Sequence, residues 1–297
     1  MIYSVSLRAL YCALIAFSSA LGADFYQNGT TARSAALGGV LLPNGESVSD
    51  TLNTNPAALT RLSSGVLEGS LSTLIMGGSF VNSATTHGSL KTEPGVIPTA
   101  AFGLPLRSLP LTVAFGIAPE AVSRDSWNYV DPFGGLGGNA SYGNRPKTSE
   151  LLALRTTAGL GYRINSHLSA GYTLGWVYNK NVFQAPYIFQ TNPIIAGLKT
   201  GLDLRTTGHG WNHSFGVLYS PTRRLVVGAA YQTATVIQSR GRAIGNAAQQ
   251  FVSLGLQFAP DFTYRAQVET RLPRSLVVHA DWRYSSTLRL ALQVNRV

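Results

Sequence analysis

Two histidines, His209 and His213, are the first residues whose type and spacing could do chemistry. On a strand, residues four apart share one face, together with Trp211 and Phe215. No acidic residue stands between the histidines, so they do not form the His-Glu-x-x-His zinc motif of a metalloprotease helix. Aromatic packing at a membrane interface accounts for them more simply. Ser and His both occur, yet no spacing brings a nucleophile, a base and an acid together, and there is no Gly-x-Ser-x-Gly elbow. The run Phe133-Gly134-Gly135-Leu136-Gly137-Gly138 lacks the strand-then-helix context of a dinucleotide fingerprint and reads as a loop. These residues predict no catalytic site, no metal site and no cofactor: the chain is not an enzyme.

Binding chemistry has better candidates. Residues 181–208 read as a long connection that is apolar for an exposed segment. Phe183, Tyr187, Ile188, Phe189, Ile194, Ile195 and Leu198 could form a greasy groove, because apolar surface left facing water usually marks a binding site. Each methylene buried there contributes about 0.8 kcal/mol. Lys199 or Arg205 could meet a carboxylate at its end. A second set, Arg265, Glu269, Arg271, Asp281, Arg283 and Arg289, reads as opposite charges lining a polar interior.

Strands must position these groups. From His167 to Asn179, Leu168, Ala170, Tyr172, Leu174, Trp176 and Tyr178 alternate with small or polar residues. Leu276, Val278, Ala280, Trp282 and Tyr284 repeat the pattern, as do Leu288, Leu290, Leu292 and Val294. Period-two alternation with aromatics toward the stripe ends suits a wall with lipid on one side and water on the other. About nine strands are expected, near 66–80, 95–104, 111–119, 149–163, 167–180, 209–219, 224–238, 263–285 and 287–296. The 263–285 stretch reads as one strand of a single parity, with a bulge or bend at Pro273. Short turns alternate with long connections at 120–148, 181–208 and 239–262, the layout of an outer-membrane barrel whose long loops face outward. The fold class is therefore all-β, a transmembrane antiparallel β-barrel.

Composition agrees. Charged residues make up 12%, against about 25% in ordinary soluble domains. Residues 1–23 read as an export signal, with Arg8, an apolar run Ala9–Phe17, and small residues before a cleavage site after Gly22 or Ala23. The single cysteine, Cys12, lies within it, so the exported chain has no thiol chemistry. The net charge of +10 comes from scattered residues with no nucleic-acid module among them. It suits anionic lipopolysaccharide or an anionic ligand instead. Residues 24–64 show no sustained alternation and are too few for a core of their own. They form an N-terminal piece that must pack on the 65–297 wall, with a short helix starting near Pro56.

Several segments resemble the FadL/TodX outer-membrane transporters of fatty acids and hydrocarbons. They are Asp24-Phe25-Tyr26-Gln27-Asn28-Gly29, Ala35-Ala36-Leu37-Gly38-Gly39, Asn55-Pro56-Ala57-Ala58-Leu59, the paired stretches 214–222 and 225–231, and Leu272-Pro273-Arg274-Ser275-Leu276. The resemblance implies a 14-stranded barrel plugged by an N-terminal hatch, with Asn55, Pro56 and Ala57 as its hinge or latch. It implies passive diffusion of a hydrophobic small molecule, most simply a long-chain fatty acid, with hatch rearrangement and exit through a gap in the wall. The expected location is the bacterial outer membrane, among its lipids and lipopolysaccharide. Nine strands is an odd count, and the ending at Asn295-Arg296-Val297 lacks the terminal aromatic of such barrels, so either some strands go unrecognised in the sequence or the chain lacks a C-terminal part. The competing reading is a non-transporting surface barrel, an adhesin or structural protein.

Overall fold

The computed structural model describes residues 31, 34, 47–75, 77–84, 87–91, 95–190, 193–257, 261–283 and 289–296. The export signal, the segments 24–29 and 35–39, Tyr284 and Leu288 lie outside them.

The described strands join one antiparallel sheet. They are β1 Val66–Leu74, β2 Ser79–Phe80, β3 Gly88–Leu90, β4 Gly95–Leu106, β5 Leu111–Val130, β6 Asn144–Arg163, β7 Leu168–Ile188, β8 Lys199–Thr222, β9 Leu225–Gln232, β10 Thr235–Asn246, β11 Asp261–Leu272, β12 Ser275–Arg283 and β13 Arg289–Arg296. β2 and β3 form a small hairpin against β5. β9 and β10 succeed each other along the edge of β8, and β12 and β11 pair with them in turn. The long strands thus follow one another as neighbours, the order that short antiparallel connections favour.

Alternation holds along these strands. On β8, Leu202, Thr206, Asn212, Ser214 and Leu218 are buried, while Trp211, Phe215, Val217 and Tyr219 are exposed. The outward-facing set continues across β7 through Trp176, directly opposite Trp211, and the half-buried Tyr172, opposite Phe215. From Tyr219 to Trp211 is eight residues, about 27 Å along a strand and about 21 Å after a 40° tilt, close to the ~25 Å apolar band of a bilayer-spanning barrel. His213, in mid-band, gives its ring Nδ1 a partner in the Tyr172 hydroxyl at 2.7 Å. That bond removes the cost of exposing an unsatisfied polar group there.

The strands run further than alternation predicts. β5 extends to Val130, β6 begins at Asn144, β7 reaches Ile188, β8 begins at Lys199, and β10 and β11 reach Asn246 and Asp261. The three long connections shrink accordingly to 131–143, 189–198 and 247–260. Above the lipid band water meets the outer face while the inner face turns apolar, so the apolar-out, polar-in alternation does not continue there.

A second difference concerns parity. Tyr264, Ala266, Thr270 and Leu272 lie on the same face as Ala243 and Ile237, their buried β10 partners. On β12 the buried face carries Val277, His279 and Asp281. The inward set therefore switches from even to odd numbers across Pro273-Arg274, and the same switch occurs in the partner strand across Thr233-Ala234. Arg265, Glu269 and Arg271 face outward, contrary to the expectation of one parity over 263–285. Asp281 is buried on the inner face, and Arg289 is in register with Arg283.

Candidate functional site

The inner face carries three layers, taken here from the short-turn end upward. The lowest is the N-terminal segment. Ser47 caps α1 (Val48–Asn53) by accepting from the Asp50 N–H at 3.1 Å, and Asn55 caps a 3-10 turn, Pro56–Arg61, by accepting from the Ala57 N–H at 3.0 Å. Pro at the first turn position loses no hydrogen bond, since that N–H has no partner within the helix. Val48, Leu52 and Leu59 are essentially inaccessible and pack with Leu62 of the same segment and with Ala101 and Ala114 of the wall. Full burial of each contributes about 1.5–3 kcal/mol.

Glycine makes this close approach possible. A Cβ on Gly171 would stand 2.6 Å from the Pro56 carbonyl oxygen and nearer still to the Ala57 nitrogen. Asn55 adds polar ties, donating through Nδ2 to the Val217 carbonyl at 3.1 Å and the Ala229 carbonyl at 3.4 Å, beside His279 Nε2 at 3.3 Å. Thr60 donates to Ser169, and Arg163 to the Thr60 carbonyl.

A polar brace forms the middle layer. β5 has a bulge between Pro119 and Ala121, and Glu120 sits there, buried. It accepts from Gln232 at 2.5 Å and from Asn212 at 3.2 Å. Arg155, 1% exposed, donates to Thr173, Ser214 and Gln232 on the wall and to Asn53 of the N-terminal segment. Two opposite charges bridged by Gln232, with their hydrogen-bond partners, therefore connect β5, β6, β7, β8 and β9 with α1. Burying a charge is costly unless opposite charge and hydrogen bonds offset it; here Gln232 bonds both groups and Arg155 attracts Glu120 electrostatically.

The upper layer is apolar. Val177, Ile237, Ala153, Ala121 and Leu272 pack together above the brace. Over them opens a pocket of about 740 Å³ whose apolar lining includes Leu151, Phe183, Tyr187, Phe189, Leu202, Leu204, Tyr264 and Val268. Its size lies within the ~300–1,000 Å³ typical of ligand pockets. The wall changes beside it. β8 pairs with β10 through Thr207 and with β9 from Ser214, and His213 still bonds Thr233 through both its backbone groups, leaving residues 208–212 outside either ladder. β10 turns inward over this stretch, where Ile237 and Ser239 crowd Gly208 and Ile237 and Thr235 crowd Gly210.

Of the groove residues expected from sequence, Phe183, Tyr187 and Phe189 line this pocket. Phe183 and Tyr187 do so from a strand and not from a loop. Ile188 and Leu198 are half-buried at the ends of the 189–198 connection, where Ile195 bonds Leu198, and Ile194 stands 90% exposed. Lys199 does not reach the pocket. It is buried in an ion pair with Asp131 at 2.8 Å and donates to the Pro132 and Ala140 carbonyls, pinning the 131–143 connection. Arg205 faces outward and pairs with Asp203. Sequence reasoning missed Leu202, Leu204, Tyr264 and Val268. For Tyr264 and Val268 the signal was the even-numbered apolar stripe of β11, which shares its parity with the Leu276–Trp282 stripe. Asn55, Pro56 and Ala57 lie together at the junction of the N-terminal segment with β7, β8 and β9.

A sheet with an apolar, aromatic-edged outer face, a polar inner brace and an N-terminal segment docked inside defines a membrane β-barrel with internal contents. Residues 10–297 match the family described as outer membrane protein transport protein (OMPP1/FadL/TodX). The chain belongs to that family. It is a bacterial outer-membrane protein for transport of hydrophobic compounds and not an enzyme.

Solved structures agree on the fold. The toluene transporter TbuX of Ralstonia pickettii is similar with TM-score 0.63 and 17% identity, over 86% of this chain and 71% of that one. A FadL homologue of Pseudomonas aeruginosa gives 0.66 and 13%, over 92% and 69%. The toluene transporter TodX of Pseudomonas putida gives 0.60 and 17%, over 82% and 64%. No protein curated for function matches the chain.

Proposed function

We propose that this chain carries long-chain fatty acids, or hydrophobic molecules of similar slimness, across the outer membrane by passive diffusion. The observation that carries the reading is the inner pocket lined by Phe183, Leu202, Leu204, Tyr264 and Val268. Apolar side chains facing inward, away from lipid, have use for an apolar guest. Each methylene placed against them contributes about 0.8 kcal/mol, so affinity rises with chain length.

Segment 24–64 acts as the hatch of this reading, with Asn55, Pro56 and Ala57 as the latch that holds it to the wall. Ile237 and the Glu120–Arg155 brace stand between the pocket and the hatch, so passage requires their rearrangement. The interrupted pairing at 208–212 supports sideways exit into the bilayer. Uptake of labelled oleate by liposomes holding the purified protein tests the proposal. The expected result is faster uptake than in empty vesicles, with loss on Val268→Glu. Uptake equal to empty vesicles favours the non-transporting surface barrel.

A further inference from the structure

The outer face above the lipid band carries a charge pattern that transport does not use. Register places Arg124, Glu150, Val182, Arg205, Arg242 and Arg265 in one row across six strands. The row below it holds Val122, Leu152, Lys180, Thr207, Arg240 and Gln267. Beneath that, Tyr178 stands opposite His209, and Trp176 opposite Trp211. The two rows thus lie about 7 and 14 Å along the strands beyond the last aromatic row.

Acidic residues answer only part of this charge. Lys180 pairs with Glu150 at 2.9 Å, Arg205 with Asp203 at 3.0 Å, and Arg271 with Glu269. Arg240, Arg242 and Arg265 are exposed and lie in no ion pair within 4 Å among the described residues, with Asp203 attracting Arg242 only at longer range. Arg205, Arg242 and Arg265 stand directly opposite one another on three adjacent strands. Like charges so placed destabilise a sheet unless an anion lies between them. A groove of about 560 Å³ runs along this face, bordered by Arg124, Lys180, Gln184, Arg205 and Arg240.

We infer that this belt is a binding site for the phosphate groups of an outer-leaflet glycolipid. The reasoning is positional and chemical. Aromatic residues mark the membrane–water interface, and lipid phosphates lie just beyond it. Guanidinium groups bind phosphate through paired N–H donors, and a cluster of them on a membrane-facing surface recognises anionic head groups. A phosphate between Arg205, Arg242 and Arg265 turns their mutual repulsion into attraction. The acyl chains of the same lipid then lie along Trp176, Trp211 and Phe215 below. The inference rests on the outer-membrane placement of the chain and is independent of its cargo.

Thermal unfolding of the full chain in detergent, titrated with diphosphorylated lipid A, tests the site. Dephosphorylated lipid A and inorganic phosphate serve as the comparison probes. The expected result is stabilisation by diphosphorylated lipid A alone. Apparent affinity should fall about 30-fold to 100-fold in Arg205→Gln/Arg242→Gln/Arg265→Gln, given that each cation near a charged head group contributes several-fold. It should stay unchanged in Arg223→Gln/Arg224→Gln, at the opposite end of the wall. If the triple variant does not fold, Arg242→Gln alone should weaken binding about threefold to fivefold. Equal stabilisation by dephosphorylated lipid A, or by inorganic phosphate at the same concentration, overturns the inference. So does unchanged affinity in the folded arginine variants. Oleate uptake by the same preparations reads the transport proposal separately.

Discussion

Asn55 illustrates how one side chain joins local structure to function. Its Oδ1 caps the Pro56–Arg61 turn, and its Nδ2 reaches carbonyls on β8 and β9. Asn55→Ala removes the cap and both wall bonds, a cost of about 1–3 kcal/mol in holding the N-terminal segment. The strands lose no contact of their own, so the barrel should still fold. Limited proteolysis is expected to cut segment 47–64 faster in the variant, while the heat-modifiable band of the folded wall persists. The Asn-Pro pair was legible in sequence because a cap is a local device. The Glu120–Arg155 brace was not, because its members come from five strands and a helix and meet only once the sheet curves. Glu120→Leu leaves Arg155 buried without its countercharge, at a cost of about 3–5 kcal/mol. Denaturant unfolding in detergent should show this as a lowered midpoint. Pairing the change with Arg155→Leu should recover part of the loss, since apolar replacement of two interacting buried charges is often neutral.

At the scale of elements, the seat beneath the N-terminal segment depends on glycine. Gly171 is the sharpest case, because the atoms a Cβ would strike are the backbone of Pro56 and Ala57 and not a movable side-chain end. Gly171→Val should displace the segment and leave β7 paired, and liposomes holding the variant should leak small hydrophilic solutes that the wild type retains. An unchanged leak rate would show that the segment does not close the passage. Element lengths also decide what can be deleted. Removal of 183–198 would take away the upper end of β7 and its pairing with β8 over Phe183–Ile188. Replacing 189–198 with a short turn spares that pairing, so assembly should survive and binding by Phe183 and Tyr187 should persist. The lower strand halves were legible because lipid outside and polar side chains inside enforce strict alternation. The upper halves were not, since water on one side and an apolar pocket on the other reverse that rule. The inward step at Thr233-Ala234 and Pro273-Arg274 then moves β11 out of the phase of β12. Without a register, a parity change between two apolar stripes cannot be told from one continuous stripe.

For the whole molecule, the governing quantity is the placement of its aromatics. Of the four tryptophans, Trp176, Trp211 and Trp282 project outward with 37%, 56% and 44% of their surface exposed. Trp127 lies on the opposite parity of β5. Its ring packs edge-on against Phe80 at 5.2 Å, and its Nε1 donates to Asp125 at 3.1 Å. A bilayer therefore touches three of these rings, while the fourth is held within the 79–90 hairpin above the band. In vesicles made with quencher-labelled acyl chains, single-tryptophan proteins retaining Trp176, Trp211 or Trp282 should lose most of their emission, and one retaining Trp127 should keep it. Aqueous iodide should give the reverse order. Quenching of Trp127 by lipid, with Trp211 reached by iodide, would turn the sheet inside out. It would place the Phe183–Tyr264 pocket and the N-terminal segment on the lipid side, and neither the transport reading nor the phosphate belt would survive it. The same geometry predicts that the chain leaves the membrane only in detergent, because the exposed Leu, Val, Phe and Trp of β7, β8, β9 and β12 form one continuous apolar face with no covering layer among the described residues.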